Sequence, residues 1–169
     1  PIMLKMVSLF PNYQFVIACA PSLPVSYYKK IIGEKSNVRL VLNRTYQLLQ
    51  LSSAAIVTSG TATLETALLD VPEVVCYKAN KISYLIARQV ARVKYICLVN
   101  LIMDRLVVKE LIQGDMTANS IRDELQSLLN SSKRQKKLLE DYEELKYVLG
   151  NAGASNRAAE TIISYVKKN

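Results

Sequence analysis

Read along its hydrophobic and polar positions, the chain changes period repeatedly. Residues 1–10 carry apolar side chains at helical spacing (Ile2, Met6, Leu9, Phe10), and Pro11-Asn12 stops them. Residues 14–20 form a short continuous apolar run closed by Pro21, the pattern of a strand buried on both faces. The alternation then continues. Helical spacing covers 24–33, 45–51, 61–69 and 81–93, with Gly33 placed to cap the first of these. Short apolar runs at 38–42, 54–57, 74–77 and 95–99 predict strands.

Strands of four to seven residues separated by helices predict an open, mostly parallel α/β sheet, with right-handed crossovers placing helices on both faces. After residue 105 no further strand is expected. Residues 120–129, 135–149 and 155–166 all read as helix. We therefore expect an α/β domain over residues 1–115 and a helical extension over 116–169. That extension would pack on the domain, on another part of a longer enzyme or on a partner subunit. Ser155 would cap the last helix, whose small residues suit a return onto the core.

Composition narrows the classes. Half of the 169 residues are hydrophobic and only five are glycine and five proline, which excludes disordered and low-complexity proteins. There is no histidine, so a Ser-His-Asp triad, a Cys-His pair and a histidine-bearing zinc site are excluded within these residues. Cys19, Cys76 and Cys97 each sit in an apolar stretch and read as reduced, buried thiols of an intracellular protein. No apolar run reaches the length of a membrane span, and the opening residues enter a helical pattern without the form of a signal peptide, as an excised domain would. The net charge is +8, divided as +5 over residues 1–60, 0 over 61–130 and +3 over 131–169.

In a parallel sheet, ligands bind beyond the carboxyl ends of the strands. The sharpest such place is Val57-Thr58-Ser59-Gly60-Thr61-Ala62-Thr63-Leu64-Glu65, where a strand runs into a small-residue turn and a helix starts at once. Ser59 or Thr61 can cap that helix, and its first amides favour a phosphate. The turn reads either as an ordinary capped turn or as a phosphate cradle. Glu65, about one turn in, either caps the helix locally or accepts hydrogen bonds from both hydroxyls of a ribose.

The stretch from Thr58 to Lys78, continuing through Ile82-Ser-Tyr-Leu-Ile-Ala-Arg88, resembles the carboxy-terminal region of bacterial lipid-A-disaccharide synthases. So does the segment from Tyr95 to Gln113, which contains Asn100-Leu-Ile-Met-Asp-Arg105. The likeness runs the length of the chain and is densest over 55–113. It implies a Rossmann-like half of a GT-B glycosyltransferase, with no metal and no cofactor. The implied reaction moves 2,3-diacylglucosamine from its UDP carrier onto 2,3-diacylglucosamine 1-phosphate, with release of UDP. By position, Ser59, Gly60, Thr61 and Ala62 would face the donor diphosphate and Glu65 its ribose, while Asn100 and Arg105 would line the cleft. Val99 replaces the usual proline of the family, and Met103-Asp104 its Ala-Gly. The family's glycine-serine-arginine loop and its amino-terminal half, with the proposed acidic base, would precede Pro1. No catalytic residue is therefore assigned here.

Two basic segments add surface readings. Residues 78–94 hold five positive charges and no acid. Lys81, Tyr84, Arg88 and Arg92 fall on one helical stripe that Lys78 extends. The stripe reads as a solvated face or as one drawn to anionic headgroups or to the phosphate of an acylated substrate. The second reading places the enzyme in the cytoplasm, peripheral at the inner membrane. Residues 131–149 place basic residues before acidic ones within one helix, which reads as an exposed surface or a helix contact. The resemblance adds a possible homodimer through these carboxy-terminal helices. A nucleic-acid-binding domain and a purely structural oligomerisation domain are the rival classes. No nucleic-acid module is recognisable, and no nucleic-acid partner is expected.

Overall fold

The computed structural model describes residues 2–33, 37–79, 94–150 and 153–168. Helical turns at Met3–Lys5 and Met6–Leu9 (α1) lead to β1 (Phe15–Cys19), followed by α2 (Val25–Ile32), β2 (Val38–Leu42) and α3 (Thr45–Gln50). Then come β3 (Ala55–Thr58), α4 (Thr61–Leu68), β4 (Glu73–Tyr77), α5 (Leu98–Met103) and β5 (Lys109–Ile112). A 3₁₀ turn, Gln113–Asp115, precedes three helices: α6 (Ala118–Asn130), α7 (Ser132–Leu149) and α8 (Ala154–Lys168).

The expected α/β class is what the chain adopts. β1 pairs with β2 in parallel, Phe15 opposite Val38, and β3, β4 and β5 form a second parallel set with β4 central. Within each set the connection between neighbouring strands carries the chain back to the starting edge, so paired strands run in one sense. β4 is buried from Glu73 to Cys76, as a strand with neighbours on both sides and helices on both faces must be.

Two expectations fail around residue 100. Residues 95–99 do not form a strand; α5 starts at Leu98, and the fifth strand is Lys109–Ile112, beyond where strands were expected to end. The cause is a carboxylate. Glu110 accepts hydrogen bonds from the amides of Ile96 (3.0 Å) and Cys97 (3.0 Å), which occupies backbone donors that a strand would have placed in a ladder.

Helices α6 and α7 belong to the core. Ile121 and Leu128 of α6 and Leu138, Tyr142 and Leu145 of α7 are completely buried with Val74, Val75, Val107 and Val108. The Tyr142 hydroxyl donates to the Val71 carbonyl at 3.2 Å. Thr117 and Ser131 cap the two helices by accepting from the amides of Ser120 (3.0 Å) and Arg134 (3.3 Å). The contact that holds the basic-then-acidic helix α7 is thus with this chain's own domain. Helix α8 differs: residues 153–167 are all exposed, so it does not return onto the core. It begins at Ala154, which puts Ser155 inside the helix and not at its cap.

β1 and β3 do not pair with each other. Between them lies a cavity of about 990 Å³, lined by Phe15–Ala18 of β1 and by Ala55–Thr58 of β3.

Candidate functional site

The sharp turn lies at the carboxyl end of β3. Gly60 is the N-cap residue of α4 and no side chain caps the helix. This differs from the expected cap by Ser59 or Thr61, because the Ser59 hydroxyl donates to the Ile96 carbonyl instead, at 3.4 Å. The turn is held from below. The Thr63 hydroxyl and amide both donate to the Gly60 carbonyl (2.8 and 3.2 Å), and the Thr66 hydroxyl donates to the Ala62 carbonyl at 2.7 Å. Thr63 and Thr66 are buried, whereas Gly60, Thr61 and Ala62 are exposed.

Two consequences follow. The amides of Thr61 and Ala62 have no acceptor among the described residues, so the positive end of α4 is open. A Cβ on Gly60 would meet nothing within 4 Å, so the space above the turn is free for an incoming group. Backbone donors fixed in place, with no capping side chain to displace, suit an anion.

Glu65, half-buried, lines the end of the cavity beside this turn, together with Thr58 and Ala62. Ala20 and Tyr28, which the sequence did not flag, line the same cavity; the Ala20 amide donates to the Tyr28 hydroxyl oxygen at 2.8 Å. Ala62 and Glu65 thus line the cavity, while Ser59, Gly60 and Thr61 form the turn beside it.

Asn100 and Arg105 are placed differently. Asn100 is completely buried. Its Oδ1 accepts from the amides of Val107 (2.8 Å) and Val108 (3.0 Å), and its Nδ2 donates to the Val108 carbonyl and to Glu110, each at 2.9 Å. Both ends of the amide face the backbone of this chain. Arg105 donates to Asp141 at 2.6 Å and to Glu144, both on α7. The hydrogen bond that Arg105 donates to Asp141 raises the guanidinium above its usual pKa. Burial pushes the Asp141 carboxyl up, but bonds from Arg105 and Lys137 outweigh it and hold the group below the usual range.

Glu110 is the residue that sequence reasoning missed. It links Asn100 to the backbone of Ile96, whose carbonyl accepts from Ser59. An acid inside Val108-Lys-Glu-Leu-Ile112 was the available signal. Gln113, at the end of β5, has a left-handed backbone (φ 50) and accepts from the Ala79 amide at 3.3 Å, while its Nε2 is buried without a partner among the described residues. Lys78 is exposed beyond the end of β4. Lys81, Tyr84, Arg88 and Arg92, and with them the predicted helix 81–93, lie outside the described residues. Cys19, Cys76 and Cys97 are free and buried, and burial pushes the thiols of Cys76 and Cys97 up to about 11 and 12. Neither is a thiolate nucleophile at neutral pH.

Parallel strands flanked by helices, with an open turn at the carboxyl edge of the sheet, define a Rossmann-like α/β domain of the GT-B type. The chain belongs to the lipid-A-disaccharide synthetase family, whose sequence profile matches residues 2–164. It is 37% identical over 174 residues to a lipid-A-disaccharide synthase of Syntrophus aciditrophicus, covering 99% of this chain and 45% of that protein. A namesake from Anaeromyxobacter sp. (strain K) is 34% identical over 93% of this chain and 42% of its own length. One from Acidobacterium capsulatum is 42% identical over 112 residues, 66% of this chain and 28% of its own. The chain thus spans less than half the length of these relatives. No helix among the described residues is long and apolar enough to cross a membrane.

Proposed function

We propose that this chain is the UDP-donor-binding part of a hexosyltransferase that forms the lipid A disaccharide. It would hold the UDP of a UDP-diacylglucosamine while the sugar passes to an acylated glucosamine 1-phosphate. The observation that carries the proposal is the uncapped amino terminus of α4, with two amides that have no acceptor among the described residues, open space over Gly60 and Glu65 one turn on.

In this reading the Thr61 and Ala62 amides take the diphosphate oxygens, whose charge grows as UDP leaves. Glu65 takes the ribose hydroxyls. Asn100 has a positioning role: through Glu110 and Ile96 it fixes the carbonyl that holds Ser59. Arg105 fastens α7 to the loop after α5. The base that deprotonates the acceptor hydroxyl comes from outside these residues, and the five positive charges of segment 78–94 attract the anionic membrane or the acylated substrate.

Calorimetry with UDP tests the site. The wild-type chain binds, and Glu65→Ala loses roughly 2–4 kcal/mol, the cost of a desolvated pair of hydrogen bonds to a charged group. Equal affinity in the variant overturns the ribose assignment. Turnover of donor and acceptor by these 169 residues alone would overturn the placement of the base elsewhere.

A further inference from the structure

We infer that Lys78 is the cation of the donor site: its ammonium meets the diphosphate of a uridine nucleotide held on the turn 59–62, and Gln113 is the residue that positions it. By sequence Lys78 only extends the basic stripe that follows it. The fold sets it apart. β3 and β4 are neighbours, with Thr58 opposite Cys76, and the ladder continues one step past β3, since the Ser59 amide donates to the Cys76 carbonyl at 3.3 Å. The turn thus begins while the chain still runs alongside β4. Tyr77 ends β4 and Lys78 is the next residue, so Lys78 emerges one strand spacing, about 5 Å, from the turn. Its flexible four-carbon stem covers that distance.

The charge there is unanswered. Lys78 is exposed and has no ion pair or hydrogen bond among the described residues, whereas Lys94 pairs with Asp104 and Lys146 with Asp70 and Glu143. The amides of Thr61 and Ala62 also lack an acceptor among the described residues. An ammonium and two fixed amides at one edge of a sheet complement an anion.

On its other side Lys78 is pinned at a cost. Gln113 follows Ile112, the partner of Tyr77 in β5. Its Oε1 accepts from the Ala79 amide at 3.3 Å, which fixes the peptide leaving Lys78. Two unfavourable features accompany that bond: a left-handed backbone at Gln113 (φ 50), and an Nε2 that is buried with no partner among the described residues. A glycine would relieve the first and an apolar side chain the second, but neither would hold Ala79. Strain and an orphaned donor kept around one bond mark a residue that aims its neighbour.

Direction agrees, in an assignment that rests on the donor-site reading and extends it. Glu65 lines the cavity between β1 and β3, whereas Lys78 lies on the β4 side of the turn. A nucleoside held by Glu65 therefore sends its diphosphate across the turn toward Lys78. When the bond from the sugar to the β-phosphate oxygen breaks, its electron pair stays on that oxygen, and the new charge develops beside the ammonium. Lys78 supplies charge and hydrogen bonds and exchanges no atom.

Binding to the 169-residue chain tests it, by calorimetry for UDP and by ligand-observed NMR for uridine. Lys78→Met should weaken UDP about tenfold and leave uridine within about twofold, while Lys78→Arg keeps most of the UDP affinity. Added salt should weaken UDP more steeply on the wild type than on Lys78→Met. Gln113→Met should weaken UDP too, but combined with Lys78→Met it should add less than about twofold, because it acts through that lysine. A merely structural glutamine would weaken uridine equally and add its full loss in the double variant. The inference is overturned if Lys78→Met binds UDP as the wild type does, if it loses uridine in equal measure, or if the two losses add. The first of these results leaves the donor site standing. A wild-type chain that binds neither ligand removes the donor site, and the role of Lys78 with it.

Discussion

Asp104 shows how one backbone angle accounts for a departure from the family pattern. It closes α5 in the left-handed region (φ 45, ψ 28), where the family resemblance puts a glycine. A Cβ there strains the backbone, and aspartate is among the few residues that tolerate it. Its ion pair with Lys94, at 3.6 Å between highly exposed side chains, offers little in return. Asp104→Gly should therefore raise stability by about 0.5–1 kcal/mol in urea unfolding; an unchanged or lower midpoint would refute the strain. Glu73 is the opposite case, a completely buried carboxyl with no hydrogen-bond partner for either oxygen among the described residues, close to Tyr142 and Cys97. Burial pushes its pKa well above the ordinary carboxyl value. Between the unfolded and the folded pKa the native state holds a proton that the unfolded state has lost, so stability falls as pH rises through that window. Glu73→Met should leave stability nearly unchanged near pH 4 and raise it by about 2 kcal/mol at pH 8. A pH-independent gain, or none, would show that the buried carboxyl carries no such penalty.

At the scale of elements, the latch between α5 and α7 separates two roles for Arg105. Asp141 is 5% exposed and Arg105 36%, so the pair is neither freely solvated nor fully buried. Arg105→Ala leaves Lys137 as the partner of Asp141, at 3.0 Å, and should cost about 1–2 kcal/mol, below the range for a fully buried pair. UDP affinity measured on the same variant should stay within about twofold, since the guanidinium points to α7. Loss of UDP binding without loss of stability would return Arg105 to the cleft. The same region shows what the sequence could and could not display. Residues 95–99 are apolar without interruption and read as a strand by any periodicity, yet the amides that decide their fate donate to Glu110, a residue 13 or more positions away. Lys109 and Glu110 likewise hid β5, because a strand of four with two charges carries no alternation to detect. The strand 38–42 and the turn 58–61 were legible because local apolar runs and small residues determine them. Tyr28 was not, since its place in the same cavity lining as Glu65 depends on packing between distant parts of the chain.

For the whole molecule, one core joins β3, β4, β5 and α4–α7, while α8 lies outside it with Ile162, Ile163, Tyr165 and Val166 all more than half exposed. Deleting residues 153–169 should accordingly change stability by no more than about 0.5 kcal/mol, the range for surface changes. A larger loss in thermal unfolding would mean that this helix docks in solution.

The three buried thiols have a practical consequence. With exposures of 5%, 1% and 0%, and with Cys76 and Cys97 held protonated well above neutral pH, the native cysteines should react slowly with maleimides. A single cysteine introduced at an exposed position such as Leu51 or Tyr147 could then carry a fluorophore without first stripping the chain of its own sulfur.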